Sequence, residues 1–274
     1  RYMERELDLS QIKGRAVLLV NTLPYKREKF IEITVYTKEK EFSLYTSADK
    51  KIPYETVSSE NTDLSETDIS LAMDIASENY ILDSYSKNPK YVFWKNKIII
   101  SSDFLPAGGY EVIDIRENEA ADSNEKMVFS RENHMENEYL KINIEENGSL
   151  NIFEKESGKK FSALIYDEKG DDGDEYDYSP PKNDKVITTE NLKAEITKLY
   201  ENNFETAFKI KHVMMVPKAL NPDRSGRNTE LAELKIKSTV ALRAASKIIT
   251  VKTELCNNSH DHIIKVLCSA PVNI

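Results

Sequence analysis

The stretch ENEYLKINIEENGSLNIFEKESGKKF, residues 136–161, decides the fold. In YLKINIEE, Leu140, Ile142 and Ile144 alternate with polar residues, and Leu150 and Ile152 do the same in SLNIFEK. A period of two is how a strand reads when one face is buried and the other is wet. Asn147-Gly148 stands between the two runs, where a glycine supplies the positive φ of a tight turn. Ser157-Gly158 ends the second run. The stretch predicts an antiparallel hairpin.

The same habit continues on both sides. Ile31, Ile33 and Val35 alternate in FIEITVYT. Ile196, Phe204, Phe208, Ile210, Leu234, Ile236, Val240, Leu242, Ile249, Val251 and Leu255 extend it, and Ile264, Val266 and Cys268 close it. Fourteen tyrosines and many Thr and Val residues suit pleated surfaces. Pro106 and Gly108-Gly109 break the run between KIIISSDFL and YEVIDI. Many strands with little helix between them predict a mainly β fold built of antiparallel β-sandwiches. One short helix is expected at 63–76, where Asp63 and Glu66 have capping-box spacing and Ile69, Ala72, Met73 and Ala76 share a face.

The polar segment RENEAADSNEKMVFSRENHM, residues 116–135, reads as a linker. It separates a small β-sandwich domain at 15–115 from a larger β-domain at 136–274. Residues 1–14 read as the tail of a preceding helical element, and 219–230, ALNPDRSGRNTE, as a loop within the second domain.

For a chain of 274 residues, a net charge of −9 argues against non-specific nucleic-acid binding, which needs a basic face, and against an anionic membrane surface. No apolar run approaches the ~20 residues of a membrane helix. The two cysteines, Cys256 and Cys268, suit a reducing compartment and are expected as a buried, reduced pair. The expected location is the cytoplasm.

The segment DEKGDDGDEYDY, residues 167–178, concentrates carboxylates beside two tyrosines. Like charges at this density repel, so it reads as a loop near solvent, a cation or polar ligand groups. EF-hand spacing is not met. Sugar binding is chemically reasonable, because carboxylates accept paired hydrogen bonds from vicinal hydroxyls and tyrosine joins an apolar ring to a polar tip. His260 and His262 would share one face of a strand, but no third metal ligand is evident. His212, in IKHVMMV, falls within a strand pattern. No GxSxG, HExxH, P-loop or GxGxxG motif occurs.

Five segments, taken in order, resemble glycoside hydrolase family 38 α-mannosidases of bacterial type. VNTLPYKREKFIEITV at 20–35 resembles the family's NPLPW-R strand, and DFLPAGGYEVIDI at 103–115 its P-x-x-GY strand. The hairpin at 136–161 is similar to NGSL-x-I-x-x-K-x-x-G. GDDGDEYDYSPP at 170–181 resembles D-x-GD-x-Y-x-YSPP. ELCNNSHDHIIKVL at 254–267 is similar to V-x-N-x-x-x-DH-x-x-RVL, with Lys265 where the family has arginine.

The resemblance implies the β-rich C-terminal region of such an enzyme, its larger domain a galactose mutarotase-like supersandwich. It implies a retaining, exo-acting hydrolysis of terminal α-mannosyl linkages. The family's catalytic N-terminal domain, which holds the nucleophile and the zinc ligands, is not matched here. That domain and the α-mannoside are the implied partners. No catalytic or metal residue carries over, so the fragment alone is expected to be inactive and to bind no cofactor itself. One loop does carry over: Tyr176 would line the sugar pocket, with Asp174 and Glu175 at its rim. Asp261 and His262 match the DH pair and read as structural. A non-catalytic carbohydrate-binding β-module is the alternative, and homo-oligomerisation stays open.

Overall fold

The computed structural model describes residues 9–27, 29–62, 93–119, 126–174 and 176–269. These form two compact units, Arg1–Glu125 and Lys126–Ile274. The fold is nearly all antiparallel β, and no described residue is α-helical. The helix expected at 63–76 and residues 1–8 of the expected helical tail lie outside the described residues.

The first unit is a two-layered sandwich. One sheet orders β1 (Arg15–Val20), β7 (Tyr110–Glu117), β3 (Phe42–Thr46) and β4 (Lys51–Ile52). The other orders β2 (Phe30–Thr37), β6 (Phe93–Ser101) and β5 (Tyr54–Thr62). Alternation turns Phe42, Leu44, Ile113 and Ile115 of one sheet toward Val35, Tyr54, Ile98 and Ile100 of the other, and these side chains make one buried core. Tyr54 stacks on Phe42 at 4.8 Å and donates its hydroxyl to the Phe42 carbonyl at 2.7 Å. Burial pushes that phenol up to about 12. Buried Asn21 joins the 20–35 and 103–115 segments. Its Nδ2 donates to the Pro106 carbonyl at 3.0 Å and its backbone N–H to the Gly109 carbonyl at 2.8 Å.

The second unit is also a sandwich. Its larger sheet runs β13 (Ile187–Thr188), β12 (Lys160–Gly170), β11 (Leu150–Glu154), β10 (Leu140–Ile144), β9 (His134–Glu136) and β8 (Phe129–Arg131), and β18 (His262–Cys268) also pairs with β12. Its smaller sheet runs β14 (Glu195–Glu201), β15 (Glu205–Pro217), β16 (Leu231–Arg243) and β17 (Ile249–Cys256). The hairpin read at 136–161 is present, with Leu140 to Ile144 opposite Glu154 to Leu150 and Gly148 at φ 77°. Across the layers, the Tyr166 hydroxyl meets Ser238 Oγ at 2.6 Å and Thr253 Oγ1 at 3.0 Å. The His212 ring packs edge-on against Tyr166 at 5.9 Å.

Two expectations need correction. Strands β8 and β9 occupy part of the segment read as a linker, because Val128 and Met135 are fully buried among polar neighbours that masked them. The cysteines are free and exposed rather than buried, because Cys256 ends β17 and Cys268 ends β18, strands whose residues are largely exposed on both faces.

Candidate functional site

The acidic loop leaves β12 at Gly170 and returns to β13 at Ile187. Backbone N–H groups and two arginines take up Asp171, Asp172, Asp174 and Asp184. Asp171 Oδ1 accepts the N–H groups of Gly173 at 2.9 Å and Ser179 at 3.0 Å, closing the loop upon itself. Asp172 donates its N–H to the Ser179 carbonyl at 2.6 Å. Arg224 binds the Asp172 carboxylate through Nε and the Asp172 carbonyl through Nη2, the latter at 2.8 Å. A side chain at Gly173 would collide with the Asp177 carbonyl, 1.8 Å from an added Cβ, so the turn requires glycine.

The residues singled out from the sequence fall as follows. Asp174 Oδ1 accepts the N–H groups of Tyr176 and Asp177, each at 2.9 Å. These backbone donors, Tyr176 first, hold its carboxyl below the usual range. Asp174 therefore shapes the tip. Tyr176 stands on that tip with 89% of its surface exposed. Glu175 lies outside the described residues. Tyr178 turns back onto the sheet between the ammonium groups of Lys169 and Lys265, 4.8 and 5.5 Å from its ring centroid.

Beneath the loop lies a buried cluster that sequence reading missed. Arg227 grips both oxygens of Glu168 and comes within 3.5 Å of Asp184 Oδ1. His262 Nδ1 faces Glu168 Oε1 at 3.0 Å, and its Nε2 faces Asn257 Oδ1 at 3.1 Å. The side chains of Glu168, Arg227 and His262 are 0%, 6% and 4% exposed. Burial alone would raise the Glu168 carboxyl, but hydrogen bonds from His262 and Arg227 overcome it and hold it down. No local pattern announces this cluster, since Glu168 and Arg227 are 59 residues apart. The DH pair was its one legible trace.

The expected pairing of His260 with His262 on a strand face is not found. His260 lies in the turn before β18, its N–H donating to the Lys218 carbonyl at 2.8 Å, while His262 is engaged at both ring nitrogens. His212 is buried in β15. Its Nε2 meets the Asn147 carbonyl at 2.8 Å, and burial pushes its pKa down. Among the described residues no three His, Cys, Asp or Glu side chains gather as around a metal ion. His262 has both ring nitrogens engaged and His260 lies outside β18, so the two do not form the paired ligand set that the spacing allowed.

The family model for the glycosyl hydrolases family 38 C-terminal domain matches residues 135–273. A protein of Halalkalibacterium halodurans named "Putative mannosylglycerate hydrolase" is 27% identical over 177 residues, covering 58% of this chain and 20% of that protein. The crystal structure of an alpha-mannosidase from Enterococcus faecalis V583 superposes with a TM-score of 0.72 at 21% identity, over 92% of this chain and 31% of that one. A second Enterococcus faecalis structure, of a protein in the glycosyl hydrolase family 38, gives 0.73 at 21% identity, over 92% and 32%. The chain thus spans a fifth to a third of the length of these relatives.

Proposed function

We propose, because this chain belongs to glycosyl hydrolase family 38 through that family's C-terminal domain, that it is the β-region of a retaining, zinc-dependent, exo-acting α-mannosidase. It supplies scaffold and one loop to a sugar pocket completed by a catalytic domain outside this chain. The observation that carries this reading is the loop at 171–181. It is pinned at both ends, yet it offers an almost fully exposed tyrosine at its tip. An apolar ring held out on an ordered turn is costly in water and is useful against a partner surface or a sugar.

In this reading Tyr176 lays its ring at the pocket wall and donates its hydroxyl to a hydroxyl of the terminal mannose. Asp174 holds the turn that aims it, and Glu175 lies at the rim. Retention of configuration calls for two carboxyl groups about 5 Å apart, one nucleophile and one acid/base. The carboxylates described around the loop are mostly taken up in structural bonds, so both of those groups belong to the catalytic domain. Zinc, which orients vicinal sugar hydroxyls when bound, has its ligands there as well.

The substrate is a terminal α-mannoside. The name carried by the Halalkalibacterium relative supports a mannosylglycerate-type aglycone. Two free, exposed thiols fit a reducing cytoplasm. No helix of the described residues is long and apolar enough to cross a membrane.

Hydrolysis of a nitrophenyl α-mannoside tests the proposal. The full-length protein should turn it over and lose activity to a zinc chelator, while the 274-residue chain alone should not. Turnover by the isolated chain, or none by the full-length protein on any α-mannoside, would refute it.

A further inference from the structure

We infer that Glu168, Arg227, His262 and Asp184 act together as positioning residues that fix the acidic loop, and with it Tyr176, from beneath. The inference rests on the loop's role proposed above for its consequence, but its geometry stands independently.

Asp184 and Arg227 touch the loop directly at its departure, and His262 follows a residue that does. Asp184 Oδ2 accepts the N–H of Gly170, the last residue of β12, at 3.0 Å. The Arg227 stem fills the space over Gly170, where an added Cβ would lie 2.9 Å from Arg227 Cδ and 2.8 Å from Pro181 Cγ. One arginine side chain therefore packs where the loop departs, and Pro181 closes on the same glycine where the loop returns. Next to His262, the Asp261 carbonyl accepts the N–H of Asp171 at 2.9 Å. The turn that carries His262 is itself held, since Ser259 Oγ donates to the Pro217 carbonyl at 2.5 Å.

Asn257 Oδ1 accepts the Ser259 N–H at 3.0 Å and lies 3.1 Å from His262 Nε2. Arg227 joins the carboxylates of Glu168 and Asp184, and His262 meets Glu168 through Nδ1 and Asn257 through Nε2. Buried ion clusters of this kind contribute little net stability relative to apolar packing of the same volume. They do define geometry, because bidentate guanidinium–carboxylate contacts tolerate few arrangements. Placement of the loop is the consequence that this geometry produces.

The test uses Glu168→Gln and Arg227→Lys in the 274-residue chain and in the full-length protein. Chymotrypsin cleaves after tyrosine, so the loop reports itself at Tyr176 and Tyr178, and buried Tyr166 reports global unfolding. Either variant should speed cleavage in the loop by about tenfold or more while cleavage after Tyr166 is unchanged. In the full-length protein, kcat on an α-mannoside should fall about 10- to 100-fold with KM nearly constant, as misplacement of a pocket group does. Loop cleavage that matches the wild type, or that rises only in step with Tyr166, overturns the positioning role. A loosened loop with unaltered turnover upholds that role and overturns the assignment of Tyr176 to the pocket. Where Glu168→Gln does not fold, Arg227→Lys carries the test, because it keeps the positive charge and removes only the two-pronged grip.

Discussion

Asp171 donates its backbone N–H to the carbonyl of Asp261 at 2.9 Å, so the first residue of the acidic loop is tied to the turn between β17 and β18. Asp261 holds that position in the left-handed region, at φ 51°, and its Oδ2 accepts the Leu220 N–H at 3.2 Å. One residue thus joins three segments distant in sequence. Asn and Asp enter this backbone region more readily than other side chains do. Asp261→Asn should leave stability nearly unchanged. Asp261→Ala should cost about 1–2 kcal/mol by losing one hydrogen bond and gaining backbone strain. Urea denaturation of the two variants separates these outcomes, and equal midpoints would discard the assignment.

Tyr176→Phe removes one oxygen from a residue that is 89% exposed at the loop tip. In the full-length protein it should leave thermal stability unchanged and lower kcat/KM on an α-mannoside by about tenfold, the value of one net hydrogen bond of ~1.4 kcal/mol. Wild-type kinetics from this variant would place the tyrosine outside the pocket.

Asn137 joins the two sheets of the second unit. Its Nδ2 donates to the carbonyls of Arg243 at 2.7 Å and Ser246 at 2.8 Å, and its Oδ1 accepts from Tyr139 and Leu140 N–H at 2.9 and 2.8 Å. Alanine leaves these groups unsatisfied in a buried place. Asn137→Ala should cost about 2–4 kcal/mol, read as a lowered denaturant midpoint with an unchanged slope.

The hairpin around Gly148 and the mainly β class were legible because alternation and turn chemistry are local. The loop at 171–181 was legible as unusual, but its carboxylates read as mutually repelling. Arg224, which binds Asp172, and Arg227, which binds Glu168 beneath the loop, sit in a segment that reads as an ordinary polar loop. Pairing across such separations is a tertiary fact that no local pattern encodes. Val251, Leu255 and Val266 show the opposite failure. They alternate as core residues do, yet each is at least two-fifths exposed, because β17 and β18 lie at the sheet margins.

Two glycines test how much of a turn's requirement is backbone and how much is packing. Gly148 and Gly158 have similar positive φ, 77° and 70°. An added Cβ at Gly148 would lie 2.7 Å from both His212 Cε1 and Ile210 Cγ2, whereas at Gly158 it would meet nothing within 4 Å. Gly158→Ala should cost only the left-handed penalty, about 1 kcal/mol. Gly148→Ala should cost about 2–4 kcal/mol, because two buried side chains must also shift. Equal losses in calorimetry or urea titration would show that packing at His212 is softer than its burial implies.

Glu201 sets an acid limit for the second unit. Burial alone would raise its carboxyl, but Lys126, Lys198 at 2.8 Å and the Ser130 hydroxyl at 2.5 Å hold it down to about 2, against an ordinary 4.5. The unfolded chain therefore takes up this proton before the folded one does. The stabilisation is complete above about pH 4.5 and declines as pH falls toward 2. Solvent screening of the two lysines reduces it to on the order of 1–2 kcal/mol. Glu201→Gln should be less stable than wild type by that amount at pH 7, and the gap should close between pH 4.5 and 2. A gap that stays constant across the window would mean that Glu201 contributes through packing and neutral hydrogen bonds, because only a charge-dependent contribution disappears on protonation.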